Sequence, residues 1–175
     1  MGIWKYTIPY RIKIFLWIML HKKTLTRDQL LKRGWHGDKR CSFCESDESI
    51  ERLFFQCAVA IHGWNAFVQI GVCNRIPSNL LDWLEGLIVI EESVGRYCGS
   101  ALLWAIWKWR NSTTFKERHL ISLDQIIIST MGYIKLWVVL LRTGKKEKAD
   151  LMMERLNNHM REHRGDSMAL PSTIC

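Results

Sequence analysis

Three thiols set the chemistry that this chain can attempt. Cys41-Ser42-Phe43-Cys44 places two cysteines two residues apart, and Cys57 follows after twelve intervening residues. Cysteines so spaced turn both sulfurs toward one point on a tight knuckle. A later Cys or His then completes a tetrahedron around a zinc ion, with Zn–S distances of about 2.3 Å. The later half, residues 49 to 57, holds one thiol and no histidine. Cys41, Cys44 and Cys57 are therefore three ligands of a four-ligand site, and zinc is the cofactor their spacing calls for. The nearest imidazoles are His62, five residues past Cys57, and His36, five before Cys41, while Glu48 and Glu51 could offer an oxygen.

Charge marks the flank of this knuckle. The net charge of +8 lies in residues 1–40, where ten Lys and Arg face only Asp28 and Asp38, and the other 135 residues balance. A basic block running into a cysteine knuckle is the footprint of a polyanion binder, because each neutralised phosphate releases counterions. A merely solvated face gives the same count. The nucleic-acid face expected on this basis comprises Lys22, Lys23, Arg27, Lys32, Arg33, Trp35, Lys39 and Arg40. Trp35, in a turn among cations, could stack on an unpaired base or staple the turn to the preceding helix.

The elements that must position these groups read as helices. Ile12, Phe15, Leu16 and Met19 recur at helical spacing after Pro9. Thr26-Arg27-Asp28-Gln29 has the capping-box form, and Gly34 stops the helix that follows. Ser49 is an N-cap with carboxylates before it, opening a helix that Gly71 or the turn at residues 74–77 closes. Ser78 caps a short segment through Leu87. Further helices are predicted over residues 99–117, from Leu123 until Gly144 ends the run, and over residues 145–164, with a frayed tail beyond. Of the nine Trp, at least six fall on apolar faces suited to a core. The predicted fold is all-α, a single helical domain with a small Cys knuckle, divided into residues 4–72, 73–142 and 143–175.

Ile8-Pro9, Lys13-Ile14-Phe15-Leu16-Trp17, Leu25 to Leu30, Arg33-Gly34, the knuckle, Leu53-Phe54-Phe55-Gln56-Cys57, Ala60 and Trp64 together make a recognisable order. It resembles the zinc-binding domain downstream of the reverse transcriptase in plant LINE-type, non-LTR retrotransposons. Leu103 to Asn111, with Phe115, is similar to the helical segment that follows that domain. The resemblance implies zinc ligation at Cys41, Cys44 and Cys57 and a histidine at the position that Arg52 occupies here. A guanidinium offers no lone pair, so the fourth ligand is missing. The family's usual proline after the last cysteine is Ala58 here.

Other chemistries fare worse. His159-Met160-Arg161-Glu162-His163 matches an inverted zinc-peptidase pattern, but it lies in a charged helix near the end and reads as a chance match. The clustered carboxylates of two-metal phosphoryl transfer are missing from the sequence, and a non-enzyme is expected. Residues 14–20 lack a cleavage site after them, and residues 120–141 are interrupted by Asp124, Gln125 and Lys135, so no signal peptide or membrane span is predicted. The expectation is an intracellular, nuclear, retroelement-derived domain that binds RNA or DNA, with a vestigial role. The alternative is a structural module that docks through its Trp-rich helices onto another protein or a second copy.

Overall fold

The computed structural model describes residues 3–85, 92–116, 120 and 122–163. Along these run α1 (Tyr10–Leu20), α2 (Arg27–Leu31), α3 (Ala58–Gln69), α4 (Leu80–Glu85), α5 (Glu92–Lys116), α6 (Asp124–Trp137) and α7 (Thr143–Glu162). Arg40 and Asp47 form an isolated antiparallel bridge. The fold is all-α, as the helical spacing requires. No helix among the described residues is long and apolar enough to cross a membrane.

The long α5 is the element around which the others pack. Ala101, Leu102, Leu103, Ala105 and Ile106 are buried on it, α6 lies along it, and α1, α3 and α7 also contact it. Each partner helix contributes the stripe its sequence spells: Ile12, Phe15, Leu16 and Met19 from α1; Ile126, Ile127, Thr130 and Ile134 from α6; Ala149, Met152 and Leu156 from α7. One buried cluster joins them, running from Ile3 to Leu156. Six tryptophans serve it: Trp64, Trp83 and Trp137 are buried, and Trp104, Trp107 and Trp109 pack against it half-buried. Gly99 lets α4 and α5 approach closely, since a Cβ there would lie 2.5 Å from Nε1 of Trp83.

Several boundaries differ from the sequence expectation, each for a local reason. Ser49 does cap a turn, its hydroxyl accepting the Arg52 N–H at 3.1 Å. The helix then widens into a π turn over Arg52–Gln56 and breaks at Cys57, whose extended backbone (ψ 146°) starts α3 afresh. Gly71, at φ +77°, closes α3. The short α4 is capped by Asn79 rather than Ser78, its Oδ1 accepting the Asp82 N–H at 3.0 Å. The end of that predicted segment, residues 86 and 87, lies outside the described residues, as does the predicted tail. α5 begins at Glu92, seven residues before the sequence predicts, because packing overrides the two glycines there. Gly144 does not end α6; it lies in the first turn of α7, and the chain turns at Leu141 and Arg142.

Candidate metal centre and its basic flank

The knuckle is shaped by its backbone. The Cys41 N–H donates to the Ser46 carbonyl at 2.6 Å and the Glu45 N–H to the Cys41 carbonyl at 3.0 Å. Glu45 adopts φ +60° to bring the chain back, and the Phe43 N–H points at Cys41 Sγ, 3.5 Å away. The π turn and the break after it deliver Cys57 from the opposite side. The three Sγ atoms lie within 4.8 Å of one another. Tetrahedral zinc with 2.3 Å arms needs sulfur–sulfur edges of about 3.8 Å, so a small contraction fits these thiols to three corners.

The Cys44 thiol is pushed down, first by a hydrogen bond from the Cys57 thiol and further by Ser46 and Cys41. Cys57 moves up, because it shares its proton with Cys41 and Cys44 and is buried. A thiolate at Cys44 is the form a metal ion takes. Cys73 and Cys98, pushed up to about 12 by burial, stand apart from the cluster.

The fourth corner finds no candidate among the described residues. Arg52 stands on the π turn, and its guanidinium Nη2 donates to Ser46 Oγ while Nε is buried without a partner. Ser46 in turn bonds Cys44. Arg52 therefore ties the two halves of the knuckle by hydrogen bonds. His62 is taken by Asp124 on α6, Nε2 to Oδ1 at 3.0 Å, and neither it nor His36 joins the thiol group. Glu51 pairs with Lys22 at 3.6 Å.

Glu48, offered by sequence as an oxygen ligand, instead takes a structural post. Its Oε1 accepts from Arg110 Nη2 at 2.7 Å and from the Arg27 N–H at 2.8 Å, with both side chains of the ion pair shut away from solvent. Its carbonyl accepts the Asp28 N–H. Glu48 thereby caps α2, a task that the capping-box form assigns to Thr26 and Gln29. Those side chains turn to Asp28 instead. Arg110, buried opposite Glu48, holds a structural position that the sequence analysis does not single out. The signal was present: Leu102, Ile106 and Arg110 fall four apart on one buried stripe, where a cation needs a buried partner.

The basic face divides into paired and unpaired groups. Lys32 meets Asp28, Lys39 meets Asp47 and Arg40 meets Asp38, all as solvent-screened pairs that add little to stability. Arg27 is spent on the loop itself: Nη1 donates to the carbonyls of Asp38 and Arg40, and Nη2 to Ser42 Oγ at 2.8 Å. Lys23 and Arg33 are exposed and have no carboxylate partner among the described residues. The Trp35 ring lies against Gly37, where a Cβ would be 1.8 Å from it, as a staple on the loop would be. On α7, the His159 and His163 rings stand 4.6 Å apart, and no third ligand among the described residues brings them into a metal-binding group. Burial, then His163 and His62, lower the His159 pKa.

Comparison with known proteins bears on residues 1–64 above all. An Arabidopsis thaliana protein named as a ribonuclease H protein is 24% identical over 121 residues, covering 66% of this chain. The chain spans 20% of that relative's length. No solved structure gives a significant match. The sequence model of the family described as zinc-binding in reverse transcriptase matches residues 1–64, the segment that carries α1, α2, the knuckle and Cys57.

Proposed function

We propose that the chain is a non-catalytic domain of retroelement origin, of the plant LINE type, that binds nucleic acid through the basic flank of its knuckle. The observation that carries this reading is the surplus of eight positive charges in residues 1–40, adjoining three converging thiols. The match of residues 1–64 to the reverse-transcriptase zinc-binding family supports it. A nuclear location follows from such a role, and the missing fourth ligand at Arg52 fits one that is vestigial. Zinc, when bound, would hold Cys41, Cys44 and Cys57 together, with a water or an outside ligand at the fourth corner. The test is the affinity for RNA and DNA as salt rises. Phosphate contacts give log K falling linearly with log salt, by about 0.7 to 0.9 per phosphate neutralised. A flat dependence, or no binding at low salt, overturns the reading.

A second reading has its own observation. Trp4, Tyr10, Ile14 and Trp17 are exposed, the last three on one outer face of α1. Docking of that face onto another protein would be apolar and insensitive to salt.

A further inference from the structure

A groove of about 540 Å³ opens between α1 and α5 beside the basic flank. Phe15, Trp104 and Trp107 give it aromatic surface, and Arg11, Lys23 and Arg33 supply cations. The rings support one another: Phe15 meets Trp104 edge-on at 5.2 Å between centroids and stacks on Trp107 at 6.1 Å. Arg11 holds its guanidinium 6.0 Å from the Trp104 ring centroid. Among the described residues none that lines it is acidic. Among the described residues Arg11, Lys23 and Arg33 have no carboxylate partner, whereas nearby Lys22, Lys32, Lys39 and Arg40 each have one. The groove thus gathers cations that no carboxylate neutralises, while those on the rest of this face are paired. Thr24, also in the lining and 2% exposed, has a hydroxyl without a hydrogen-bond partner among the described residues. Buried polar atoms are normally satisfied, so this hydroxyl is a demand that a bound molecule could meet after a side-chain rotation.

We infer that the groove holds an unpaired nucleotide of a single-stranded nucleic acid, its base against Trp104 and Trp107 and its flanking phosphates on Arg11, Lys23 and Arg33. The inference rests on the nucleic-acid reading and narrows it to a place and a strand state. Aromatic surface rewards a planar base only when that base is free of its own stack. A duplex offers phosphates to the cations and nothing to the rings. An acidic peptide satisfies the cations and leaves the rings without a planar partner.

The test uses the full chain at low salt with fluorescent oligo-rU and oligo-dT of about ten nucleotides, a duplex of the same length, and an acidic peptide of equal charge. Tighter binding of at least one single strand than of the duplex is expected. The Trp104→Leu substitution should weaken single-strand binding about tenfold and leave duplex binding unchanged, since one stacked base is worth about that much. Lys23→Glu with Arg33→Glu changes only exposed side chains and keeps the test valid if Trp104→Leu misfolds; it should weaken single-strand binding by more than tenfold. Comparing rU with dT tells which backbone is preferred, and a preference for either supports the inference. Equal binding of strand and duplex, indifference to these substitutions, or equal competition by the peptide overturns the groove while leaving the nucleic-acid reading in place. Failure to bind any polynucleotide overturns both.

Discussion

A guanidinium adds a positive charge and no lone pair, so on the proposed reading Arg52 leaves the knuckle one ligand short. Its hydrogen bond to Ser46 does by other means what a fourth ligand would do, holding the π turn against the loop that carries Cys41 and Cys44. Replacing it with an imidazole puts a neutral donor on the same element, five residues before Cys57. We therefore predict that Arg52→His purified under reducing conditions carries about one zinc per chain by elemental mass spectrometry and holds it through dialysis against a weak chelator. The unsubstituted chain should carry less and lose it, because structural zinc sites are nearly always four-coordinate. Equal zinc in both would mean that another group completes the tetrahedron. Arg52→Ala separates the clasp from the charge: it should make the Cys57 thiol more reactive toward a thiol reagent without conferring zinc. Unchanged reactivity would deny the clasp.

Elements were legible from sequence where one face is buried by simple periodicity, and illegible where a distant group intervenes. The stripes of α1 and α6 follow their spacing because nothing competes with apolar packing there. The cap of α2 was misread because Glu48, twenty-one residues from Arg27, supplies the acceptor that Thr26 and Gln29 suggested locally. The break at Cys57 was hidden for the same kind of reason, since the knuckle pulls the chain out of a helix that its apolar pattern would continue. The thiols, by contrast, came together as their spacing required. The groove at Trp104 and Trp107 is not legible in the sequence, because it joins residues 11–33 to a helix some seventy residues on, and no local spacing records that. At the start of α4 the chemistry is local and gives a pH prediction. The Asp82 carboxylate accepts both Arg75 guanidinium nitrogens and the Ser78 N–H, and its pKa is pushed down to about 2, chiefly by Arg75. A carboxylate with its folded pKa below the ordinary value of 3.8 stabilises the fold fully above pH about 4. That contribution is lost as pH falls toward 2. The difference in urea midpoint between the unsubstituted chain and Asp82→Asn should thus be constant from pH 5 to 7 and shrink between pH 4 and 2. A difference that persists unchanged at pH 2 would exclude the ionised cap.

At the scale of the whole molecule, the question is whether the knuckle and the helical continuation stand or fall together. Among the described residues, contacts that cross between them include the buried Glu48–Arg110 pair, the Ser42–Thr114 hydroxyl contact at 3.2 Å, and the packing of Phe54 on Trp107. Arg110 is itself boxed in, its guanidinium 5.3 Å from the Trp107 ring centroid and 5.9 Å from that of Phe115. Removing one partner of such a pair leaves an uncompensated charge in the interior, which costs about 3–5 kcal/mol, whereas replacing both with apolar groups can be nearly neutral. Arg110→Met should lower the stability of the entire chain by that order, and Glu48→Leu with Arg110→Met should recover much of it. Because Glu48 also caps α2, the recovery should fall short by about 1 kcal/mol, the worth of a lost cap. The coupling itself is read by two probes in one denaturant titration, far-ultraviolet circular dichroism for the helices and thiol labelling of Cys57 for the knuckle. Buried Cys57 is 1% exposed and labels only when its surroundings open. Coincident midpoints in the unsubstituted chain are expected, since a single core runs through both parts. If labelling of Cys57 precedes the loss of helix, the knuckle is a separately opening unit and the buried ion pair is not what binds it to the helices. If Arg110→Met alone separates the two midpoints, that pair is the coupling.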